Sequence, residues 1–267
     1  MRIIVFLLLG LALTAGAIGA AGQFRSFRGP VVGDLPRERT GFTFCRLQYT
    51  QVRREEMGQG AMTDYPLADQ NLMIRLSELT LTPVTWSRPN DPAHAIVRPT
   101  DPAIFGCPFL FASDVGTAGF SGQDVEMLRE YLRKGGFLWA DDFWGPAAMN
   151  HWLAQMDRVL PGQPAVELTP DHPIFSTFYF VQNVPQIPSI QYWRASGGQT
   201  SERQSRSATP TISGIFDEEG RLVVLMSHNT DIADGWEREG EDFAFFHTFS
   251  PLGYSVGVNV AVWSMTH

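Results

Sequence analysis

Cysteine is scarce in this chain: Cys45 and Cys107 are the whole complement of 267 residues. No Cys-x-x-Cys pair exists, which removes that redox motif. Both cysteines lie in or just before apolar, strand-like runs, so two buried free thiols are expected, although an exported chain permits a disulfide. Basic clusters are also missing. The chain carries 20 Lys and Arg against 28 Asp and Glu, a formal net charge of −8, with no Lys/Arg-rich stretch. That argues against nucleic acid as a partner. Beyond residue 22 there is no apolar run of membrane-spanning length, so no transmembrane helix is expected in the mature chain. There is no internal repeat. What is present is a large apolar fraction, 44% hydrophobic with 12% aromatic residues, enough for a sizeable core and against disorder.

The first 22 residues read as a secretory signal peptide. Arg2 precedes the apolar run Ile3 to Leu13, and small residues follow up to Gly22. An uncleaved anchor is the alternative, but the apolar core is short for a spanning helix. Export places the mature chain in the periplasm or outside the cell. Residues 23–39, rich in Arg, Pro and Gly without periodicity, read as a linker. Residues 40–267 then read as one domain.

The domain is organised around Gly135-Gly136-Phe137-Leu138-Trp139-Ala140-Asp141-Asp142. Ser121 and Asp124 have the spacing of a capping box, and Val125, Leu128 and Leu132 recur at helical spacing. Gly135-Gly136 stops that helix. Phe137 to Ala140 is a continuous apolar run, as in a strand buried on both faces. Pro146 opens the next helix, with Met149, Trp152, Leu153, Met156 and Leu160 on its apolar side.

The same alternation extends both ways. Gly41 to Tyr49 is a first strand and Thr50 to Thr63 a loop at its carboxyl end. A helix follows Asp64-Tyr65-Pro66, with Leu72, Leu76 and Leu79 as its buried stripe. Pro83 to Trp86 is a short strand, Ser87 to Pro102 a proline-rich loop, and Phe109 to Ala112 a buried strand. Ala165 to Leu168 is another short strand, and Ser189 to Thr211 an exposed excursion. Ile212 to Phe216 and Leu222 to Met226 flank Asp217-Glu218-Glu219-Gly220 as a hairpin. Tyr254 to Met265 is a buried terminal helix. Together these predict an α/β fold: a mostly parallel sheet with helices on both faces and an antiparallel hairpin near one edge.

Several motifs, taken in order, resemble a known bacterial family. They are Asp64-Tyr65-Pro66 with Asn71-Leu72; Phe120-Ser121 with Leu128-Arg129; Gly135-Gly136-Phe137-Leu138 with Asp141-Asp142; Asp171-His172-Pro173-Ile174-Phe175; Gly214-Ile215 with Gly220-Arg221-Leu222; Asn229 with Asp231; Gly235-Trp236; and Gly257-Val258-Asn259. This order is similar to that of domain of unknown function family 4159, over nearly the whole mature chain. The resemblance implies a flavodoxin-like sheet sandwich of the class I glutamine amidotransferase-like superfamily. It also implies export or membrane attachment, often beside ATPase and von Willebrand-type proteins. It implies no reaction and no substrate. Amidotransferases need a Cys on a strand-to-helix turn with a His partner. Here the corresponding strand ends carry Ser113-Asp114 and Asp141-Asp142, so whether the protein is an enzyme stays open.

In open parallel sheets, ligands bind at the carboxyl ends of the strands. Candidate ligand-binding residues are therefore Asp114, Asp141, Asp142, His228, Asn229, Asp231 and Trp236, with Asp142, Asp114 and Asp231 as a candidate Mg²⁺ or Ca²⁺ set. Helix capping is the plainer role for Asp141 and Asp142, and a solvated turn for the loop from His228 to Asp234. Trp144 and Trp236 flank the acidic loops and could stack on a sugar ring. His172 reads as a turn residue, and His247 as a partly buried packing residue among phenylalanines. Two functions compete: a non-catalytic binding or scaffold module with an envelope protein partner, and a carboxylate-based, metal-assisted hydrolase or lyase acting on a carbohydrate or peptide. Convergence of Asp142, Asp114 and Asp231 within a few ångströms favours the second; dispersed carboxylates favour the first.

Overall fold

In the computed structural model, residues 31–267 are described. The expected signal peptide, residues 1–22, lies outside them. Seven strands form the main sheet: β1 (Phe44–Leu47), β2 (His94–Val97), β3 (Phe109–Ala112), β4 (Phe137–Phe143), β5 (Ala165–Glu167), β6 (Thr211–Phe216) and β7 (Leu222–His228). Their order is β2-β1-β3-β4-β7-β6-β5. The first five in that order are parallel, and β6 and β5 continue antiparallel. The parallel strands thus follow the flavodoxin arrangement, with chain direction reversing between β1 and β3. That reversal opens a crevice at the carboxyl edge.

Alternation of side chains builds two cores. Phe44, Phe109, Phe111 and Trp139 face one side. Cys45, Leu110, Leu138 and Ala140 face the other. Helices α1 (Leu67–Thr80) and α5 (Phe243–Thr266) contribute to the first core, α2 (Gly122–Arg133) and α3 (Gly145–Val159) to the second. The start of α2 is the expected capping box: Ser121 Oγ accepts the Asp124 N–H at 3.1 Å, and Asp124 Oδ2 accepts the Ser121 N–H at 2.9 Å. The DEEG turn carries Gly220 at φ 80°, a conformation glycine adopts without strain.

Several elements differ from expectation. Cys45 and Cys107 form a disulfide, not two free thiols. Their positions on β1 and just before β3 are brought together by β1–β3 pairing, a contact no spacing rule reveals. The second sheet strand is His94–Val97, inside the segment read as a loop. Pro83 to Trp86 supplies only a bridge from Val84 to Phe42 and the start of a small hairpin. Four residues between prolines are too few to show a period. Residues 31–39 of the expected linker lie against the sheet edge, with Gly33 N–H donating to Ile96 O at 2.8 Å, which covers part of an otherwise open edge. Leu79 is exposed, and the buried stripe of α1 is Ala68, Leu72, Met73 and Leu76. His247 is exposed, because the inward positions of that turn belong to Phe245 and Phe249. The excursion from Ser189 folds back, forms α4 (Ile190–Ala195) and buries Glu202 and Ser207. Among the described residues no helix is long and apolar enough to cross a membrane.

Candidate functional site

The site is built from loops that leave β1, β3, β4 and β7 at the carboxyl edge. Its first organiser is Arg46 on β1, a fully buried guanidinium. Both oxygens of Asp69 accept from Arg46 Nε at 3.1 Å. Arg46 Nη1 donates to the carbonyls of Ala61 (3.1 Å) and Thr63 (2.8 Å), and its guanidinium lies 5.2 Å from the Phe111 ring centroid. The loop entering α1 is thereby fixed, with Asp64 at its apex.

Four polar residues at this edge have left-handed backbone: Asp64 (φ 65°), Asp114 (φ 50°), Asp142 (φ 52°) and Asn229 (φ 59°). Asp and Asn tolerate this region better than other non-glycine residues, and such strain clusters at functional positions. At Asp142 it coincides with a break in register between β4 and β7, where Met226 pairs with Ala140 but His228 pairs with Phe143. The extra residue re-aims the side chain. Asp141 and Asp142 consequently part company. Asp141 accepts from Ser227 Oγ and from the Ala233 N–H at 3.0 Å, within the fold. Asp142 turns into a cavity, where its Oδ1 accepts from Trp144 Nε1 at 2.9 Å.

That cavity has a volume of about 280 Å³, and eight carboxylates and two arginines line it. On its floor Asp64, Asp142 and Asp231 each bring a carboxylate oxygen within 4.8 Å of the others. All three are more than nine-tenths buried, with exposures of 6%, 8% and 2%. Asp64 Oδ2 accepts from Ser113 Oγ at 3.1 Å, and Asp231 Oδ1 from the Asp234 N–H at 2.9 Å. The second oxygen of each of the three accepts no hydrogen bond from the described residues, and none of the three has an ion-pair partner among them. A second triad, Asp64 with Asp234 and Glu237, is served by Arg238, whose Nε lies 2.7 Å from Glu237 and 3.5 Å from Asp234.

Burial without a counter-charge shows in the proton affinities. Desolvation pushes Asp64 up to about 8, with the neighbouring Glu237 adding and Arg46 opposing. Asp142 and Asp231 are held well above the usual carboxylate range, first by desolvation and then by neighbouring charge, from Asp64 and Asp114 at Asp142 and from Asp64 and Asp142 at Asp231. Asp114 rises to about 7 by desolvation, against the hydrogen bond from the Gly60 N–H. Crowded buried carboxylates either keep protons or take up a cation.

The other sequence candidates are placed as follows. Asp114 lines the same cavity as Asp142 and Asp231. His228 Nε2 meets Gly145 O at 3.1 Å, and burial holds its pKa below the ordinary histidine value, so the neutral ring donates there. Asn229 Oδ1 accepts the Gly145 N–H and its Nδ2 donates to Thr209 O, both at 2.8 Å, tying down the start of α3. Trp236 is fully buried, 5.4 Å from Trp139 between ring centroids, and packs the core; Trp144 is the indole on the cavity wall. His172 caps a short turn through Nδ1. Asp64, Arg46, Glu202 and Arg203 escaped sequence reasoning as site residues. The usable signal was Asp64 standing before Tyr65-Pro66 at a strand-to-helix junction.

These features define a class: a flavodoxin-like α/β protein with an acidic cavity at its topological switch edge. Within that class the family is specific. A family model described as a domain of unknown function (DUF4159) matches residues 43–265, and the chain belongs to that family. No curated protein matches the chain.

Proposed function

We propose that this protein binds a divalent cation between Asp64, Asp142 and Asp231, and uses it as an exported hydrolase or lyase on a carbohydrate or peptide. The observation that carries this is the convergence of three buried carboxylates with unpartnered oxygens on one cavity floor. Mg²⁺ and Ca²⁺ prefer such oxygen donors. A cation there would polarise a substrate oxygen or lower the pKa of a bound water. Export is supported by the charged and apolar N-terminus together with the Cys45–Cys107 disulfide, a bond that persists in oxidising compartments. The scaffold alternative has less behind it: Phe178 and Phe180 are exposed on one loop, short of an extended apolar patch.

The test is a melting series with Mg²⁺, Ca²⁺ and chelator, run on the wild type and on Asp142→Asn. A cation that binds only the folded state raises the melting temperature by mass action. Wild type should respond at millimolar cation and the variant should not. Incubation with envelope glycan and peptide fragments, read by mass spectrometry, should then give products that require the cation. Identical melting curves in every condition would refute the cation site and put the scaffold function ahead.

A further inference from the structure

The cation site uses the cavity floor and leaves Asp114 unassigned. Asp114 is 1% exposed and ends β3. Its Oδ2 accepts the Gly60 N–H at 2.8 Å. Its Oδ1 accepts no hydrogen bond from the described residues, and no Lys or Arg forms an ion pair with it. Gly58 packs directly against this carboxylate: a Cβ there would fall 2.3 Å from Oδ2, so only glycine lets the loop close on it. A carboxylate that lines the cavity is therefore left with one oxygen that accepts no hydrogen bond from the described residues.

The two cationic side chains of the cavity are already engaged. Arg203 lies 3.3 Å from Glu202 and 4.0 Å from Glu55, and donates to Glu56 O at 2.8 Å. Arg238 serves Glu237 and Asp234. Neither is available to neutralise an incoming anion. A divalent cation offsets two charges among eight carboxylates and two arginines, and the cavity stays negative. Like charges at close range disfavour binding. The volume of about 280 Å³ suits a ligand the size of one sugar or amino acid.

We infer that the cavity selects a small amine-bearing molecule, that its ammonium group is received by Oδ1 of Asp114, and that anionic analogues are rejected. The inference rests on the proposed cation site only for the charge of the floor; the role of Asp114 stands without it.

The experiment is calorimetric titration of the full mature chain at pH 8. The probes are glucamine, glucitol and glucitol 6-phosphate: one skeleton carrying positive, zero and negative charge. Each is titrated with saturating Mg²⁺ and again with chelator. Glucamine should bind at least about tenfold tighter than glucitol, the value of one charge-assisted hydrogen bond, and the phosphate should bind weakest. Asp114→Asn keeps an acceptor for Gly60 and tolerates the left-handed backbone. It should bring glucamine down to the glucitol level while leaving the Mg²⁺ melting shift intact, and Asp114→Glu should restore part of the preference. Tighter binding of the phosphate, an undiminished glucamine preference in Asp114→Asn, or no binding of any probe would overturn the inference. A glucamine preference that persists in chelator, in a protein whose melting ignores Mg²⁺, would remove the cation site and support the Asp114 assignment.

Discussion

Asp69 and Asp64 flank the same helix start, and both are buried, yet their surroundings are opposite. Asp69 is fully buried and receives the Arg46 guanidinium on both oxygens. Asp64 receives a single serine hydroxyl and faces Asp142 and Asp231. Removing a carboxylate from water costs several kcal/mol unless a partner compensates. The first pair holds the fold in position. The second group leaves its cost unmet by the chain, and its geometry is that of a receptacle for positive charge. Burial alone therefore does not separate a structural carboxylate from a functional one; the location of the counter-charge does.

The largest expected effect comes from breaking the satisfied pair. Arg46→Met leaves Asp69 buried and uncompensated, a loss of about 3–5 kcal/mol. At about 2–4 °C per kcal/mol for a chain of this size, the melting temperature should fall by roughly 10 °C. Arg46→Met with Asp69→Leu should recover most of that stability. It should not recover the cation response, because Ala61 and Thr63 lose the donor that fixes the loop before Asp64. A double variant that responds to Mg²⁺ like wild type would show that Arg46 does not position the site. Calorimetry on the three proteins decides this.

A smaller effect follows from pH. The carboxyls of Asp64, Asp114 and Asp141 are raised to about 8, about 7 and about 7, desolvation being the main cause in each. The folded state therefore holds protons that the unfolded chain releases near pH 4. Their contribution is complete below that pH and is lost as pH rises through 7 to 8. In chelator the protein should lose about 2 kcal/mol of stability between pH 5 and pH 8. Protons and cation compete for the Asp64 carboxylate, so the Mg²⁺ melting shift should grow over the same interval. Denaturant titrations at pH 5, 6.5 and 8 measure both slopes. A cation-free stability that rises with pH would contradict the burial described for these three carboxyls.

The smallest effect comes from relieving the unsatisfied group. Asp142→Asn removes one charge from the floor, and its amide keeps an acceptor for Trp144 Nε1. Without cation it should stabilise the protein by about 1 kcal/mol, on the scale of one polar group's mismatch. With cation the wild type should overtake it. Two melting curves per protein test this, and a variant less stable than wild type in chelator would show that Asp142 is structural.

Much of the fold was legible because it depends on local chemistry. The capping box at Ser121, the glycine pair ending α2 and the apolar run of β4 each state their structure within a few residues. The short strand His94–Val97 was not legible, since four residues between prolines carry no readable period. The disulfide and the Arg46–Asp69 pair were not legible either, because both depend on which strands become neighbours. For the site, strand ends suggested Asp114, Asp142 and Asp231 on one rim; all three line one cavity, but the carboxylates that converge are Asp64, Asp142 and Asp231, with Asp64 standing where Asp114 was expected. Asp141 shows the limit of that logic: it shares the strand end but turns inward, and only the register break after Ala140 separates it from Asp142. Asp64 arrives by a loop whose course is set by Arg46, and Arg203 from a segment whose polar composition suggested full exposure.

The disulfide has a kinetic consequence. Cys45 lies on β1 and Cys107 immediately precedes β3, so the covalent link staples the two strands that border the switch-point crevice. Those strands cannot part to admit a ligand. Entry and exit then depend on the segments closing over the rim, the loop around Met57 and the excursion carrying Glu202 and Arg203, which touch through Arg203 and the Glu56 carbonyl. Exchange of any molecule held there should therefore be timed by loop motion, on the nanosecond-to-microsecond scale of such segments, and be indifferent to how firmly the sheet is held together.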